Sequence, residues 1–108
     1  MVKPVAGEIV VIPFPRSDSK KRRAAFVIAD LPGADLILCQ ITSRAHLDGF
    51  AITLDNSDCE RGQIDQPCHI RPQRLFTLEH HLILRSIAKV SEAKLEEVLK
   101  RAREFFVE

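Results

Sequence analysis

Short apolar runs that are rich in β-branched residues, each closed by a turn-forming residue, constrain the fold of this chain most strongly. The first run, residues 8–12, follows Gly7 and ends at Pro13. Runs of four to eight such residues between glycine and proline are typical of strands. The close spacing of the first three runs favours antiparallel hairpins over parallel strands joined by helices. The sequence therefore predicts a mainly β fold.

The remaining runs place further strands along the chain and leave one long polar interval. Residues 55–67 are acidic and have no apolar periodicity, so we expect a loop there. Pro72 is expected to interrupt a later extended segment, because proline cannot donate a hydrogen bond to a strand ladder. The predicted strands are residues 8–12, 24–29, 36–42, 50–54, 68–76 with the break at Pro72, and 82–90.

The C-terminal region has the periodicity of a helix. Ser91 is a good N-cap, and Glu92 places a negative charge in the first turn, where the helix dipole favours it. Apolar residues then recur at helical spacing and predict one stripe that packs on the sheet or on a partner. Short strands with one terminal helix favour a small, strongly curved barrel. The stripe consists of Leu95, Val98, Leu99, Ala102 and Phe106.

Length and charge limit the classes of function. With 108 residues we expect a single domain over residues 1–108. The net charge of +1 excludes a generally basic nucleic-acid binder, so any such affinity depends on where the charges lie. No apolar stretch approaches a membrane span and no signal peptide is evident, so we expect a cytoplasmic protein with no membrane partner. The cations crowd one stretch that contains Arg16, Lys20, Lys21, Arg22 and Arg23.

The cysteines do not indicate a disulfide framework or a metal site. Their number is odd, and Cys39 lies in an apolar run that predicts a buried thiol. Cys59, Cys68 and His69 lack the spacing of a zinc ligand set. We therefore expect no metal and no cofactor.

Two polar residues at neighbouring strand ends point to phosphate binding. Arg23 opens the second predicted strand, and Thr42 ends the third, with further donors at Ser43 and Arg44. A guanidinium and a hydroxyl in this position are suited to gripping a phosphate, which makes RNA the first partner to consider. The alternative is structural: a solvated cation at a strand edge and a threonine that ends a strand.

Taken together and in order, several segments resemble the PemK/MazF family of toxin endoribonucleases. Residues 7–15 are similar to the opening strand of that family, residues 21–28 to its arginine-led second strand, and residues 38–44 to its third. Residues 71–78, followed by residues 89–91, resemble the late strands that lead into its last helix. One departure is Ala24, where the family usually has a proline after the arginine.

The resemblance implies a compact SH3-like antiparallel barrel of the CcdB/PemK/MazF type that works as a homodimer. It implies metal-independent, sequence-selective cleavage of single-stranded mRNA and inhibition by a cognate antitoxin protein. The catalytic residues of the family map onto Arg23 and Thr42, and the loss of the proline at Ala24 is expected to loosen the placement of Arg23.

The expected reaction is transesterification, in which the ribose 2′-OH attacks the adjacent phosphate. Arginine is effectively always protonated, so a second group has to act as the base. His46 is the sequence candidate for that base, because histidine titrates near neutral pH. The residues expected to bind RNA are Lys20, Lys21, Arg22, Ser43, Arg44, Gln73 and Arg74.

Two other functions remain open from the sequence. A gyrase-binding toxin of the CcdB type has the same barrel but acts by binding a protein, and it does not need Arg23 together with Thr42. A barrel without catalytic activity that binds a protein or DNA partner is the second alternative, and Ala24 is compatible with it.

Overall fold

A computed structural model describes residues 3–13, 22–44 and 49–106 of the chain. The strands of this part form one seven-stranded antiparallel sheet in the order β4-β6-β3-β2-β1-β7-β5, and one helix follows the last strand. No helix among the described residues is long and apolar enough to cross a bilayer. The elements are β1 Glu8–Pro13, β2 Arg22–Asp30, β3 Asp35–Thr42, β4 Ile52–Leu54, β5 Cys59–Gly62, β6 Cys68–Glu79, β7 Arg85–Val90 and α1 Glu92–Glu104.

The connection from β5 to β6 requires the sheet to curl. Gly62 ends β5 and Cys68 begins β6, so six Cα steps separate them, which reach at most about 22 Å. In a flat sheet the two strands would be five strand spacings apart, about 24 Å, because four strands lie between them. The sheet is therefore a half-barrel with β4 and β5 at its edges, which confirms the predicted mainly β fold with a C-terminal helix.

The two faces of the sheet bury two separate apolar clusters. Alternation along β2 sends Phe26 to the concave face and Ala25 and Val27 to the other face. The concave cluster also contains Val98 of α1, so the helix covers that face. Ile83 packs into the second cluster from the segment before β7. The molecule therefore has apolar packing on both sides of its central strands.

The helix begins as predicted but buries a narrower stripe. The Ser91 hydroxyl accepts a hydrogen bond from the Lys94 backbone N–H at 3.2 Å, which confirms the N-cap. Val98 is fully buried, whereas Leu99 is only half-buried. Phe106 lies in the turn beyond the helix and is 74% exposed, so its predicted place in the apolar stripe is wrong.

The predicted loop at residues 55–67 contains regular structure. A 3₁₀ turn at Asn56–Asp58 leads into β5, which pairs with β7 at the edge of the sheet. Polar edge strands have no alternating apolar pattern, which is why the sequence did not indicate β5. The predicted strand starts at residues 50 and 82 are also early, because β4 begins at Ile52 and β7 at Arg85.

The break predicted at Pro72 is a bulge within one continuous strand. The strand β6 continues through it, and Pro72 is buried. The register between β3 and β6 shifts here, since Gln40 pairs with Arg71 while Cys39 pairs with Leu75. Such a bulge removes residues from the hydrogen-bonded ladder, so the missing N–H of proline costs little.

Replacing Val98 with Ala tests the docking of the helix. Loss of two buried methyl groups should lower the free energy of unfolding by about 2 kcal/mol, measured by urea denaturation. The control is Lys100→Ala on the exposed side of the same helix, with an expected change within about 0.5 kcal/mol. Similar losses in both variants would show that α1 does not pack on the concave face through Val98.

Candidate functional site

The strand register brings the two residues singled out from the sequence together. Ala25 of β2 pairs with Gln40 of β3, and the two strands are antiparallel. Arg23 lies two residues before Ala25 and Thr42 two residues after Gln40, so they occupy facing positions at the same end of the two strands. Both residues line one open cavity of about 830 Å³. The predicted juxtaposition is confirmed.

The cavity is strongly cationic. Side chains from β2, β6, β7 and the residues after β3 contribute guanidinium groups, and Asp65 is the one carboxylate among the described lining residues. Converging cations in a cleft raise the local concentration of anions. The arginines are Arg22, Arg23, Arg44, Arg71 and Arg85.

Thr42 is held so that its hydroxyl can donate. It is half-buried, and its Oγ1 accepts a hydrogen bond from the Arg44 backbone N–H at 3.2 Å. This local bond fixes the oxygen, and a hydroxyl that accepts one bond still carries a proton to give. Thr42 can therefore donate a hydrogen bond to a phosphate oxygen in the cavity.

Arg23 keeps a defined place in the sheet without a following proline. The ladder between β1 and β2 includes Arg22, Arg23 and Ala24, which pair with Pro13, Ile12 and Val11. The strand is thus already formed on both sides of Arg23. The alanine leaves the register of the strand intact at the point where the sequence suggested it would loosen.

Arg71 meets a neutral partner in the cavity. Its Nη1 donates to Oε1 of Gln40 at 3.4 Å, across the β3–β6 pair. A carboxamide oxygen accepts this hydrogen bond and orients the guanidinium, and the carboxamide carries no charge of its own. Arg71 is half-buried, so the charge is held close to the cavity floor.

The segment Gln63–Gln66, between β5 and β6, forms the side of the cavity that the sequence did not predict. Ile64 is 7% exposed and packs into the concave core, which fixes the middle of the segment. Asn56 holds the backbone of Ile64 at both ends: its Nδ2 donates to the carbonyl oxygen at 3.1 Å, and its Oδ1 accepts from the N–H at 2.7 Å.

Glycine is required where this segment begins. Gly62 has a φ of +72°, and a Cβ there would lie 2.2 Å from the carbonyl oxygen of Ile87. The next residue, Gln63, donates its N–H to that same oxygen at 3.3 Å. A side chain at position 62 would therefore separate β5 from β7 and displace the segment.

Other predicted binding residues lie apart from this cavity. Arg74 lines a neighbouring apolar groove of about 730 Å³, to which Arg23 also contributes, and Gln73 lines neither space. Ser43 and Arg44 line the cavity together with Arg23 and Thr42. Lys20, Lys21 and His46 lie outside the described residues.

The cysteines are poorly suited to nucleophilic chemistry. Burial raises the pKa of the Cys39 thiol far above its usual range. Burial, with a smaller contribution from Cys59, raises the pKa of Cys68 to about 11, although Cys68 lines the cavity. Thiols with raised pKa values stay protonated at neutral pH and react slowly. Among the described residues, no group of three or more His, Cys, Asp or Glu could hold a metal ion.

Sequence reasoning missed Arg71, Arg85 and Asp65 as site residues. Arg71 follows Cys68-His69-Ile70 in a predicted strand. Its pairing with Gln40, which brings it to the cavity, could not be read from the sequence. Arg85 reaches the cavity because β7 pairs with β1, where Val11 is its partner. No local pattern marks either residue, since both contacts join segments that are distant in the chain.

Comparison with known proteins assigns the fold and the family. Residues 6–106 match the family described as PemK-like, MazF-like toxin of type II toxin-antitoxin system. A comparison with functionally curated proteins found no match.

Solved structures share this fold at low sequence identity. The MazE-MazF structure from Deinococcus radiodurans is 20% identical, with a TM-score of 0.78 over 98% of this chain and 97% of the other. The Mycobacterium tuberculosis toxin MazF-mt6 is 14% identical, with a TM-score of 0.69 over 94% and 98% of the two chains.

A third structure is described as an endoribonuclease in complex with its cognate antitoxin from a mycobacterial species. It is 12% identical, with a TM-score of 0.70 over 97% of this chain and 93% of the other. The family match covers nearly the whole chain, and the three similar structures also align with nearly the whole chain. The chain belongs to the PemK-like, MazF-like toxins of type II toxin–antitoxin systems.

Proposed function

We propose that this protein is a toxin endoribonuclease that cuts single-stranded RNA by transesterification without a metal ion. The observation that carries the proposal is the cavity in which Arg23 and the Thr42 hydroxyl meet among further arginines. Membership of a toxin family and the similarity in fold to a protein described as an endoribonuclease support it.

The charge of the cavity favours a phosphodiester chain as the substrate. Guanidinium groups bind phosphate oxygens through paired N–H donors, and five of them line this space. The cavity is open and lies at strand ends, where a flexible single strand can enter with its bases turned outward from the backbone. Sequence-specific recognition of RNA acts mostly on such unpaired bases.

The proposed reaction uses a nucleophile that RNA itself supplies. The ribose 2′-oxygen forms a bond to phosphorus and the bond from phosphorus to the 5′-oxygen breaks, which leaves a 2′,3′-cyclic phosphate and a 5′-hydroxyl. Charge builds on the non-bridging oxygens in the transition state. Arg23 stabilises that charge, and the Thr42 hydroxyl donates a further hydrogen bond.

Proton transfer needs at least one more group than Arg23 and Thr42. The guanidinium cannot accept a proton at neutral pH, so it does not deprotonate the 2′-OH. His46 stays the sequence-based prediction for that role, and it lies outside the described residues. The leaving 5′-oxygen takes up a proton from water or from a neighbouring donor.

Antitoxin binding and homodimer formation are part of the same proposal. Antitoxin binding is supported by the family and by two similar structures, one of MazE with MazF and one of an endoribonuclease with its cognate antitoxin. The homodimer stays a prediction from the resemblance in sequence. An acidic antitoxin segment would complement the same arginines that we assign to RNA, and such a competitor would block the cavity directly.

The first test is cleavage of a long unstructured RNA by the purified protein in excess EDTA. We expect discrete cuts that end in a cyclic phosphate, and Arg23→Ala should lower the rate by roughly 100-fold or more, because one transition-state donor is lost. Arg23→Lys should recover only part of the rate, since an ammonium lacks the planar fork of the guanidinium.

The matched control is Arg103→Ala on the helix, which removes the same charge from an exposed residue that does not line the cavity. It should cut like the wild type. Intact RNA with a folded wild-type protein would refute the ribonuclease, and the CcdB-type alternative, binding to gyrase, would then be tested.

A second test separates the Thr42 hydroxyl from its packing. Thr42→Val keeps the shape but removes the donor, so kcat should fall roughly 100-fold. Thr42→Ser keeps the hydroxyl and should retain most of the activity. Single-turnover cleavage rates and thermal unfolding of both variants provide the measurement. Equal rates for Val and Ser at this position would show that the hydroxyl takes no part in catalysis.

A further inference from the structure

The wall of the cavity formed by Gln63–Gln66 differs in chemistry from the rest of the lining. The strand side carries arginines, whereas this segment presents two carboxamides and the carboxylate of Asp65. Gln63, Asp65 and Gln66 are all exposed to solvent. The segment joins an edge strand to β6 and so crosses the open side of the half-barrel. It lines the same cavity as the ends of β2 and β3.

This wall is held in place before any ligand binds. The side chain of Asn56 clamps the backbone of Ile64, and the Ile64 side chain is buried in the core. Gly62 allows the close approach to β7 from which the segment starts. A preorganised polar wall loses little conformational entropy on binding, which is what a recognition surface requires.

Charge decides which part of an RNA chain this wall can contact. A carboxylate repels a phosphate, so Asp65 is unfavourable beside the backbone that the arginines attract. The same carboxylate accepts hydrogen bonds only, and it is satisfied by N–H donors on a base. Guanine, adenine and cytosine carry an exocyclic amino group with two N–H donors. Uracil has no amino group, and its single ring donor, N3–H, lies between two carbonyl oxygens that repel a carboxylate. In one stretch of RNA, the arginines thus suit the phosphates and Asp65 suits a base.

We propose that Asp65 is a specificity-determining residue that accepts a hydrogen bond from the exocyclic amino group of a base next to the cut, and that the protein discriminates against uracil at that position. The carboxamides of Gln63 and Gln66 flank it and supply both donors and acceptors to the same base edge. The inference rests on the proposed ribonuclease function and adds the class of base that it selects.

The experiment compares the cutting preferences of the wild type and of Asp65→Asn. A pool of unstructured RNA with randomised positions is cut, and the products are sequenced to give the preference for each base around the cut. The wild type should disfavour uracil at one position by about tenfold, the worth of one hydrogen bond to a charged group. The amide of Asp65→Asn can hydrogen-bond to an amino group or to a carbonyl oxygen of a base. This variant should therefore lose most of the preference while it continues to cut.

The matched control is Asp35→Asn, because Asp35 is exposed at the opposite end of β3 and undergoes the same change of charge. It should keep the wild-type preference. Asp65→Ser provides a second variant in case the asparagine variant unfolds, and thermal unfolding checks all of them. Oligonucleotides in which inosine replaces guanine, or purine replaces adenine, identify which amino group is read.

The outcomes separate this inference from the proposed function. Cutting by Asp65→Asn with an unchanged preference overturns the role of Asp65 and leaves the ribonuclease intact. Loss of cutting by a folded Asp65→Asn, with no change of preference in Asp65→Ser, also overturns it. If the wild type cuts no RNA, the ribonuclease itself fails and the inference falls with it. The inference is established if both Asp65 variants lose the preference against uracil and Asp35→Asn keeps it.

Discussion

The short connection between β5 and β6 is the constraint on which the rest of the structure depends. It joins two strands that are separated by four others in the sheet, and it is too short to cross a flat one. The sheet therefore has to curl, and Ile64 of the connection is drawn into the concave core. The same curvature turns the ends of β2 and β3 toward the connection, and the cavity is the space that remains between them.

The cavity brings several like charges close together. Several guanidinium groups converge where like charges repel, and the partner of Arg71 that faces it across the strands is the neutral Gln40. The fold tolerates this arrangement because the arginines stand at strand ends, where most of them reach water. Binding of the proposed RNA substrate would reduce this repulsion between like charges.

Local patterns were sufficient where neighbouring strands form hairpins. Arg23 and Thr42 could be placed at the same end of neighbouring strands from the sequence, because the two strands form a hairpin. That they face each other directly depends on the register shift between Val27 and Ala29, which no local pattern indicated. Ser91 could be recognised as a cap because its hydrogen bond lies within one turn. The strand β5 and the continuity of β6 through Pro72 could not be recognised, since a polar edge strand and a bulge depend on partners that are distant in the chain.

From the sequence alone we could predict the class of fold, the positions of most strands along the chain, the helix and the resemblance to a toxin family. These follow from periodicity, turn chemistry and segment order, which act over a few residues. The tertiary fold was needed to show that Arg71 and Arg85 line the same cavity as Arg23. It also showed that Asn56 holds the segment that carries Asp65 on another side of this cavity. The physical reason is that these contacts arise from the curl of the sheet, and curvature is a property of all the strands together.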